Sequence, residues 1–188
     1  MNDDYYPWGG EFTACDPRGN IAVVLLNIEF KPDKKVAIFG KLKTENIGIE
    51  KIVANVISNP NIRFLLICGD DIRGHRSGSS LVALFNNGID EQNRIIDAPG
   101  AIPYIENLDI NAINRFQDQL EIVNLIGVTD LNDIKKTIND YIDRSTEPFG
   151  NPYIAIKIKP KTITSLDDKR VIHSKIVIDY MGKIKKRG

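Results

Sequence analysis

Short apolar runs alternate with segments of helical period along most of the chain, and this alternation limits the fold more than any other feature. The predicted strands are IAVVLL (21–26), VAIF (36–39), RFLLIC (63–68), RII (94–96) and EIVNLI (121–126). Strands that alternate with helices typically form a parallel sheet that is covered by helices on both faces. The sequence therefore predicts an open, doubly wound α/β fold with a mainly parallel sheet.

The helices are predicted from apolar residues that recur at helical spacing. One stripe is formed by Ile49, Ile52, Val53, Val56 and Ile57. Their spacing of i, i+3, i+4, i+7 and i+8 places them on one face of a helix. The same spacing predicts a helix over 131–142. Two shorter helices are predicted over 79–87, where Gly88 follows as a stop signal, and over 109–119.

The pattern changes after residue 144, where apolar and polar residues begin to alternate. YIAIKI (153–158) and VIHSKIVIDY (171–180) flank a turn-like stretch at 165–169. Alternation of this kind predicts an antiparallel hairpin added to the edge of the sheet. We therefore divide the chain into an α/β domain over 1–150 and, over 151–188, a β-hairpin extension of that domain with a basic tail.

Composition excludes several classes of partner. The chain has 188 residues, enough for one domain with its own core, and its 25 Lys and Arg balance 25 Asp and Glu. This balance argues against nucleic acid as a partner. The longest apolar segment, 21–28, is too short for membrane insertion, and the N-terminus does not resemble a signal peptide. With only Cys15 and Cys68, both expected as free thiols, the protein is expected to be cytoplasmic.

Three loops are candidates for a ligand site, because ligands of open parallel sheets bind at the carboxyl ends of the strands. They are GKLKTENIG (40–48), GDDIRGHRSG (69–78) and DAPGAIPYIEN (97–107). In the second loop, His75 lies between two glycines, and a serine-rich helix start follows. The third loop is largely apolar. A wide apolar wall with one nitrogen donor suits a large planar cofactor that holds a metal.

The motifs of several other kinds of ligand or catalytic site are absent or have the wrong residue spacing. The chain has no GxxxxGK[ST] and no GxGxxG after the first strand. Ser77 stands fourth in GHRSG and so does not match the nucleophile elbow, and two His with two Cys, all scattered, do not form a zinc motif. Two alternatives remain open. Thr44 or Asn46 could simply cap the following helix, and the helix start at 77–80 could bind the phosphate of a flavin.

The His75 loop also resembles a cobalamin motif. RGHRSG has the HxxG of the DxHxxG motif, although Arg73 stands in place of the aspartate. Three longer stretches, 43–69, 74–89 and 101–126, closely resemble the corrinoid-binding A subunit of the tetrahydromethanopterin S-methyltransferase complex of methanogenic archaea. The resemblance covers about residues 40–127, and a weaker similarity is found at PWGGEF. It implies a Rossmann-like fold that binds a cobamide such as cobalamin.

The resemblance also implies residue roles. His75 maps onto the histidine that ligates cobalt, and Glu45 is the expected hydrogen-bonding partner of its other ring nitrogen, with Asp70 and Asp71 as alternatives. Glu45 is preferred because its loop and the histidine loop both leave carboxyl ends of predicted strands. The residues expected to bind the cofactor are Thr44, Glu45, Asn46, Gly74, Ser77, Gly78, Pro103 and Tyr104.

The activity implied is that of the parent complex, which moves a methyl group from methyl-tetrahydromethanopterin to cob(I)amide and then to the thiol of coenzyme M. A single chain would then act as a methyl carrier with other methyltransferase subunits, and a homodimer stays open. The alternative is a corrinoid storage, delivery or sensing protein without turnover. Because the A subunits of that family usually end in a membrane helix and this sequence ends in KIKKRG, we expect either an excised soluble domain or a free-standing cytoplasmic relative, and coupling to sodium transport stays open.

Overall fold

The computed structural model describes residues 5–155, 176–178 and 184–186. The first region contains five strands, β1 Phe12–Ala14, β2 Ile21–Leu25, β3 Ile38–Lys41, β4 Phe64–Gly69 and β5 Glu121–Ile126. It also contains four helices, α1 Ile47–Ser58, α2 Ser77–Asn87, α3 Ile110–Gln119 and α4 Leu131–Ile142. All four predicted helices are present. The α/β class predicted from the sequence is confirmed.

The sheet has the strand order β1-β3-β2-β4-β5, and only β1 is antiparallel to its neighbour. In the centre of the sheet, Val24 of β2 lies opposite Gly40 of β3 and Ile67 of β4. The strands that flank β2 therefore end at the same edge. In open α/β sheets this edge carries the ligand site, so the loops that leave β3 and β4 are placed together for function.

Alternate residues of the central strands face two separate cores. On one face, Ala22 and Val24 pack with α1, α2 and α3, and on the other, Ile21 and Val23 pack with α4. Helices therefore cover both faces of the sheet, three on one side and one on the other. Strands buried on both faces read as continuous apolar runs, which is why the sequence alone predicts β2 and β4.

Two details of the predicted sheet are wrong. RII (94–96) is not a sheet strand, because Arg94 and Ile95 form only isolated bridges, to Tyr104 and Ile89. This segment belongs to a long connection between α2 and α3, so the loop over 97–107 does not follow a parallel strand. The sequence does not predict the edge strand β1, since three residues are too few to show a period. The bounds of β2, β3, β4 and β5 differ from prediction by at most two residues.

The C-terminal part of the chain is described only in part. The chain divides into two compact units, Met1–Ile158 and Lys159–Gly188. In the second unit, Ile176–Ile178 (β6) pairs antiparallel with Ile184–Lys186 (β7) as a two-stranded sheet. The turn predicted at 165–169 and His173 lie outside the described residues. In the part of the chain that the structure describes, no helix has the length and apolar character needed to cross a bilayer.

Candidate functional site

The loop between β4 and α2 presents His75 at its tip. The backbone N–H groups of His75 and Arg76 both donate to the carbonyl oxygen of Ile72, at 3.2 and 2.9 Å, which closes a tight turn. Gly74 has φ of 91° and Arg76 has φ of 43°, so the residues on either side of His75 are left-handed. Glycine adopts that conformation without strain. The turn therefore places His75 within an exposed stretch, 72–76, of this loop.

Asp71 closes the base of this loop by capping α2. Its carboxylate accepts hydrogen bonds from the N–H groups of Gly78 and Ser79, at 2.7 and 2.8 Å, and from the Ser79 hydroxyl at 2.6 Å. Arg76, at the N-cap position, makes no side-chain cap bond. Because the carboxylate of Asp71 already occupies the N-terminal amides of α2, the structure argues against a phosphate site at 77–80.

The capping bonds give a stability prediction. Replacing Asp71 with alanine leaves the N–H groups of Gly78 and Ser79 without their acceptor, so we expect the free energy of unfolding to fall by about 1 kcal/mol. The measurement is urea unfolding followed by circular dichroism. Asp70→Ala is the control, because Asp70 is exposed and contributes only its backbone carbonyl to a described hydrogen bond. An equal loss in both variants would contradict the capping role.

Glu45 lies beside the histidine loop and is almost fully buried. One carboxylate oxygen, Oε2, lies 3.1 Å from His75 Nδ1. The other, Oε1, accepts hydrogen bonds from the backbone N–H groups of Ala101 and Ile102, both at 3.1 Å. The Glu45 side chain is 5% exposed, whereas that of His75 is 56% exposed. A buried carboxylate from the β3–α1 loop thus holds an exposed imidazole from the β4–α2 loop.

The hydrogen bonds of Glu45 determine its charge. Burial is the largest single influence and raises the pKa of the carboxyl group, but hydrogen bonds from its own backbone, from Ile102 and from His75 together outweigh burial and lower the pKa below 4.5. The carboxylate is therefore ionised at neutral pH and can only accept hydrogen bonds. The proton shared with His75 consequently belongs on Nδ1.

The lowered pKa predicts a pH dependence of stability. A carboxyl group whose folded pKa is depressed stabilises the fold above its unfolded pKa, and this contribution is lost as the pH falls through the folded pKa. We therefore expect the stability advantage of the wild type over Glu45→Gln to shrink as the pH falls below the ordinary pKa of a glutamate carboxyl. Urea unfolding across acidic pH measures it. A stability difference that does not change with pH, down to the lowest pH at which both proteins fold, would contradict the lowered pKa of Glu45.

A third segment, 97–107, lies against the pair. Besides the two N–H groups that bond Glu45, this segment is held by a second buried carboxylate, Glu50, which accepts bonds from the N–H groups of Glu106 and Asn107 and from the Asn107 side chain. Two buried glutamates that flank the start of α1 thus bind the backbone of one long connection. The loop over 97–107 reaches the site through these bonds rather than by following a strand.

The free nitrogen of His75 defines what the site can bind. With the proton on Nδ1, the neutral imidazole keeps its lone pair on Nε2, which makes no hydrogen bond to any of the residues that the structure describes. Within residues 5–155, no group of three or more His, Cys, Asp or Glu side chains is arranged to hold a metal ion.

Exposed isoleucines adjoin the Glu45–His75 pair. Ile102 donates its N–H to Glu45, Ile72 accepts from the N–H of His75, and Ile47 begins α1. Their exposed fractions are 58%, 47% and 41%. Large apolar side chains that remain exposed around one polar group are typical of a binding surface. We refer to Ile47, Ile72 and Ile102 as the apolar rim.

The structure brings some of the predicted site residues together and gives others structural roles. Of the three acidic candidates, only Glu45 contacts His75. Thr44 and Asn46 cap α1 by accepting from the N–H groups of Gly48 and Ile47. The remaining predicted cofactor residues lie in the two neighbouring loops and at the start of α2: Gly74 is exposed, Ser77, Gly78 and Pro103 are buried, and Tyr104 is 37% exposed. Their contacts with a cofactor stay predictions.

The sequence does not reveal two parts of the site. In the sequence Ile102 is only one apolar residue among several, whereas in the structure it is the most exposed of the large apolar side chains. The sequence also does not predict Asp71 as a cap, because Asp71 caps from well before the helix and outside the usual N-cap position. The feature of the sequence that could have predicted this cap is an acidic residue placed shortly before a serine-rich helix start.

Fold and site together define a class: an α/β protein of Rossmann-like topology that presents one carboxylate-bound imidazole within an apolar rim at the carboxyl edge of its sheet. The family model of the A subunit of tetrahydromethanopterin S-methyltransferase matches residues 2–185. The chain belongs to that family.

Individual relatives support the assignment. The chain is 44% identical over 155 residues to the A subunit of the putative methyltransferase Mtx of Methanosarcina barkeri, covering 82% of this chain and 79% of the relative. It is 39% identical to the protein of the same name from Methanosarcina acetivorans, covering 97% and 94%. With the first A subunit of tetrahydromethanopterin S-methyltransferase from Methanothermobacter thermautotrophicus it shares 47% identity, covering 80% of this chain and 65% of that protein.

Proposed function

We propose that this chain binds a cobamide through His75 and serves as the methyl-carrying subunit of a methyltransferase. The observation that carries the proposal is the bond between the buried Glu45 carboxylate and His75 Nδ1, which leaves Nε2 exposed as a donor. Family membership supports the methyl-transfer role, since the relatives are named as A subunits of methyltransferases.

The residues present fit such a cofactor. A corrin ring would bring most of the ligands of its cobalt, so a single imidazole nitrogen from the protein would suffice to hold the metal, and His75 would supply it. The ring is broad and largely apolar, and the apolar rim offers apolar contact around the imidazole. No second metal-ligating side chain is required.

The pair Glu45–His75 has a definite task in this proposal. Glu45 fixes the tautomer of His75 and holds the direction of its ring, as carboxylate partners of metal-bound histidines generally do. The negative charge of Glu45 also makes Nε2 a stronger donor. In DxHxxG proteins an aspartate two residues before the histidine does this, and here the carboxylate comes from a different loop, with the exposed Arg73 in the aspartate position.

When bound, the cobamide supplies a cobalt centre that carries a methyl group between methyl-tetrahydromethanopterin and a thiol such as coenzyme M. In this proposal, partner subunits would hold both substrates. Chain residues would then bind and orient the cofactor, while its exposed position on the edge of the sheet leaves it open to those partners.

The test has two stages. Purified protein is mixed with hydroxocobalamin, freed of unbound cofactor by dialysis, and examined by visible spectroscopy. We expect the protein to retain the corrinoid spectrum. The methylated, loaded protein is then incubated with coenzyme M and partner methyltransferase subunits, with a sample without coenzyme M as control. Loss of the corrinoid on dialysis would contradict the proposal, and retention without methyl transfer would identify a storage or delivery protein instead.

A further inference from the structure

Gly100 lies where the three loops of the site meet. A Cβ atom built on Gly100 would lie 2.7 Å from the His75 carbonyl oxygen, 2.8 Å from Glu45 Cγ and 2.8 Å from Ser80 Oγ. These three atoms belong to three different segments, each of which is part of the site. Contacts below 3 Å are far shorter than carbon atoms tolerate. The position therefore accepts no side chain without movement of at least one of its neighbours.

Hydrogen bonds tie Gly100 to the same neighbours. Its N–H donates to Ser80 Oγ at 3.1 Å, and Ser80 donates in turn to the carbonyl oxygen of Arg76 at 2.9 Å. The next two N–H groups, of Ala101 and Ile102, donate to Glu45. The backbone at 100–102 is thus linked through the Ser80 hydroxyl to the residue after His75, and it is bonded directly to the carboxylate that holds His75.

We propose that Gly100 is a positioning residue that sets the distance between His75 and Glu45. This inference rests on the proposed function, because the position of the imidazole matters for the ligation of a metal. A methyl group at residue 100 has to displace either the His75 backbone or the Glu45 side chain. Glu45 is only 5% exposed and bonded at both oxygens, so neither partner moves without disturbing the 3.1 Å bond between them.

Gly19 provides a matched control. A Cβ atom on Gly19 would lie 2.5 Å from both Ala37 N and Lys35 O, so this position is at least as crowded. Gly19 precedes β2 and therefore lies at the opposite edge of the sheet from His75. Neither Gly19 nor Gly100 has a positive φ, so alanine causes crowding and not backbone strain at both. Gly19→Ala should disturb the fold without altering the imidazole.

The first test uses the protein without cofactor. Long-range proton–nitrogen correlation spectra show which ring nitrogen of a histidine carries the proton, and His75→Ala assigns the signals, since the chain has two histidines. We expect the proton on Nδ1 of His75 in the wild type and in Gly19→Ala. In Gly100→Ala we expect the Nδ1–H signal to be lost or mixed with that of the other tautomer.

The second test adds hydroxocobalamin and measures its affinity and visible spectrum. We expect Gly100→Ala to bind about tenfold more weakly or worse, with a reduced nitrogen-ligand signature. Unchanged tautomer signals and affinity in Gly100→Ala would overturn the proposal. Should Gly100→Ala not fold, Ser80→Ala decides: it removes the acceptor of the Gly100 N–H, and unchanged His75 signals in it would equally overturn the proposal.

The two tests separate this inference from the proposed function. A wild-type protein that shows the Nδ1–H tautomer, which Gly100→Ala loses, supports the positioning role even if cobalamin does not bind. Cobalamin bound through His75 with equal strength by the wild type and Gly100→Ala supports the proposed function and contradicts the positioning role.

Discussion

Replacing His75 with alanine is expected to abolish nitrogen ligation of a bound corrinoid by the protein and to weaken retention of cobalamin by at least about 100-fold. His75 offers the one imidazole in residues 5–155, and its side chain is 56% exposed. The visible spectrum of aquocobinamide, a corrinoid without a base of its own, reports a nitrogen ligand from each protein, and equilibrium dialysis with hydroxocobalamin reports the affinity. Because the variant leaves the buried Oε2 of Glu45 without its partner, it should also unfold at a lower urea concentration than the wild type.

His173→Ala is the matched control, since it removes the only other histidine of the chain. It should bind cobalamin as the wild type does. Retention of the nitrogen-ligand spectrum in His75→Ala, with its loss in His173→Ala, would show that His173 and not His75 is the ligand. Equal spectra in all three proteins would show that neither histidine ligates the cobalt.

Replacing Glu45 with glutamine is expected to cost about 10–100-fold in cobalamin affinity and to alter the cobalt-ligand absorption. The carboxylate accepts hydrogen bonds at both oxygens, from His75 on one side and from Ala101 and Ile102 on the other. Glutamine has one acceptor oxygen, so its NH₂ group must face a donor on one of the two sides. Either the imidazole or the 97–107 segment loses its partner.

Asp71→Asn tests the alternative carboxylate in the same loop as the histidine. Asp71 caps α2 and does not contact His75 in the structure, and asparagine still accepts one of its bonds. We expect Asp71→Asn to lower stability slightly while the absorption of bound cobalamin stays that of the wild type. A spectrum altered by Asp71→Asn but unchanged by Glu45→Gln would mean that Asp71, and not Glu45, orients the imidazole.

The positions of the helices and central strands are predictable because they depend on local patterns. Ile49 to Ile57 repeat at helical spacing, and β2 and β4 are continuous apolar runs, so burial on one or both faces can be read from neighbours in sequence. The pairing of Glu45 with His75 follows from topology, since both loops leave the carboxyl ends of strands. It requires only that the strands be parallel.

The segment between α2 and α3 is not predictable in the same way. RII (94–96) has the composition of a strand, but its bridges are set by Tyr104 and Ile89 rather than by the sheet. The position of Gly100 depends on Glu45, His75 and Ser80, which lie far apart in sequence. A local sequence pattern cannot predict that these three segments lie together in the structure. A glycine between two prolines, as in APGAIP, looks like any other turn.

The most direct test of cobalt ligation by His75 is electron paramagnetic resonance of protein-bound cob(II)alamin, prepared with natural-abundance protein and with protein labelled with nitrogen-15 at histidine. Each nitrogen isotope splits the cobalt lines differently. If His75 Nε2 is the axial ligand, the splitting changes from triplets to doublets in the labelled protein. Triplets that persist after labelling would show that the cofactor keeps its own base, which would contradict ligation by the protein.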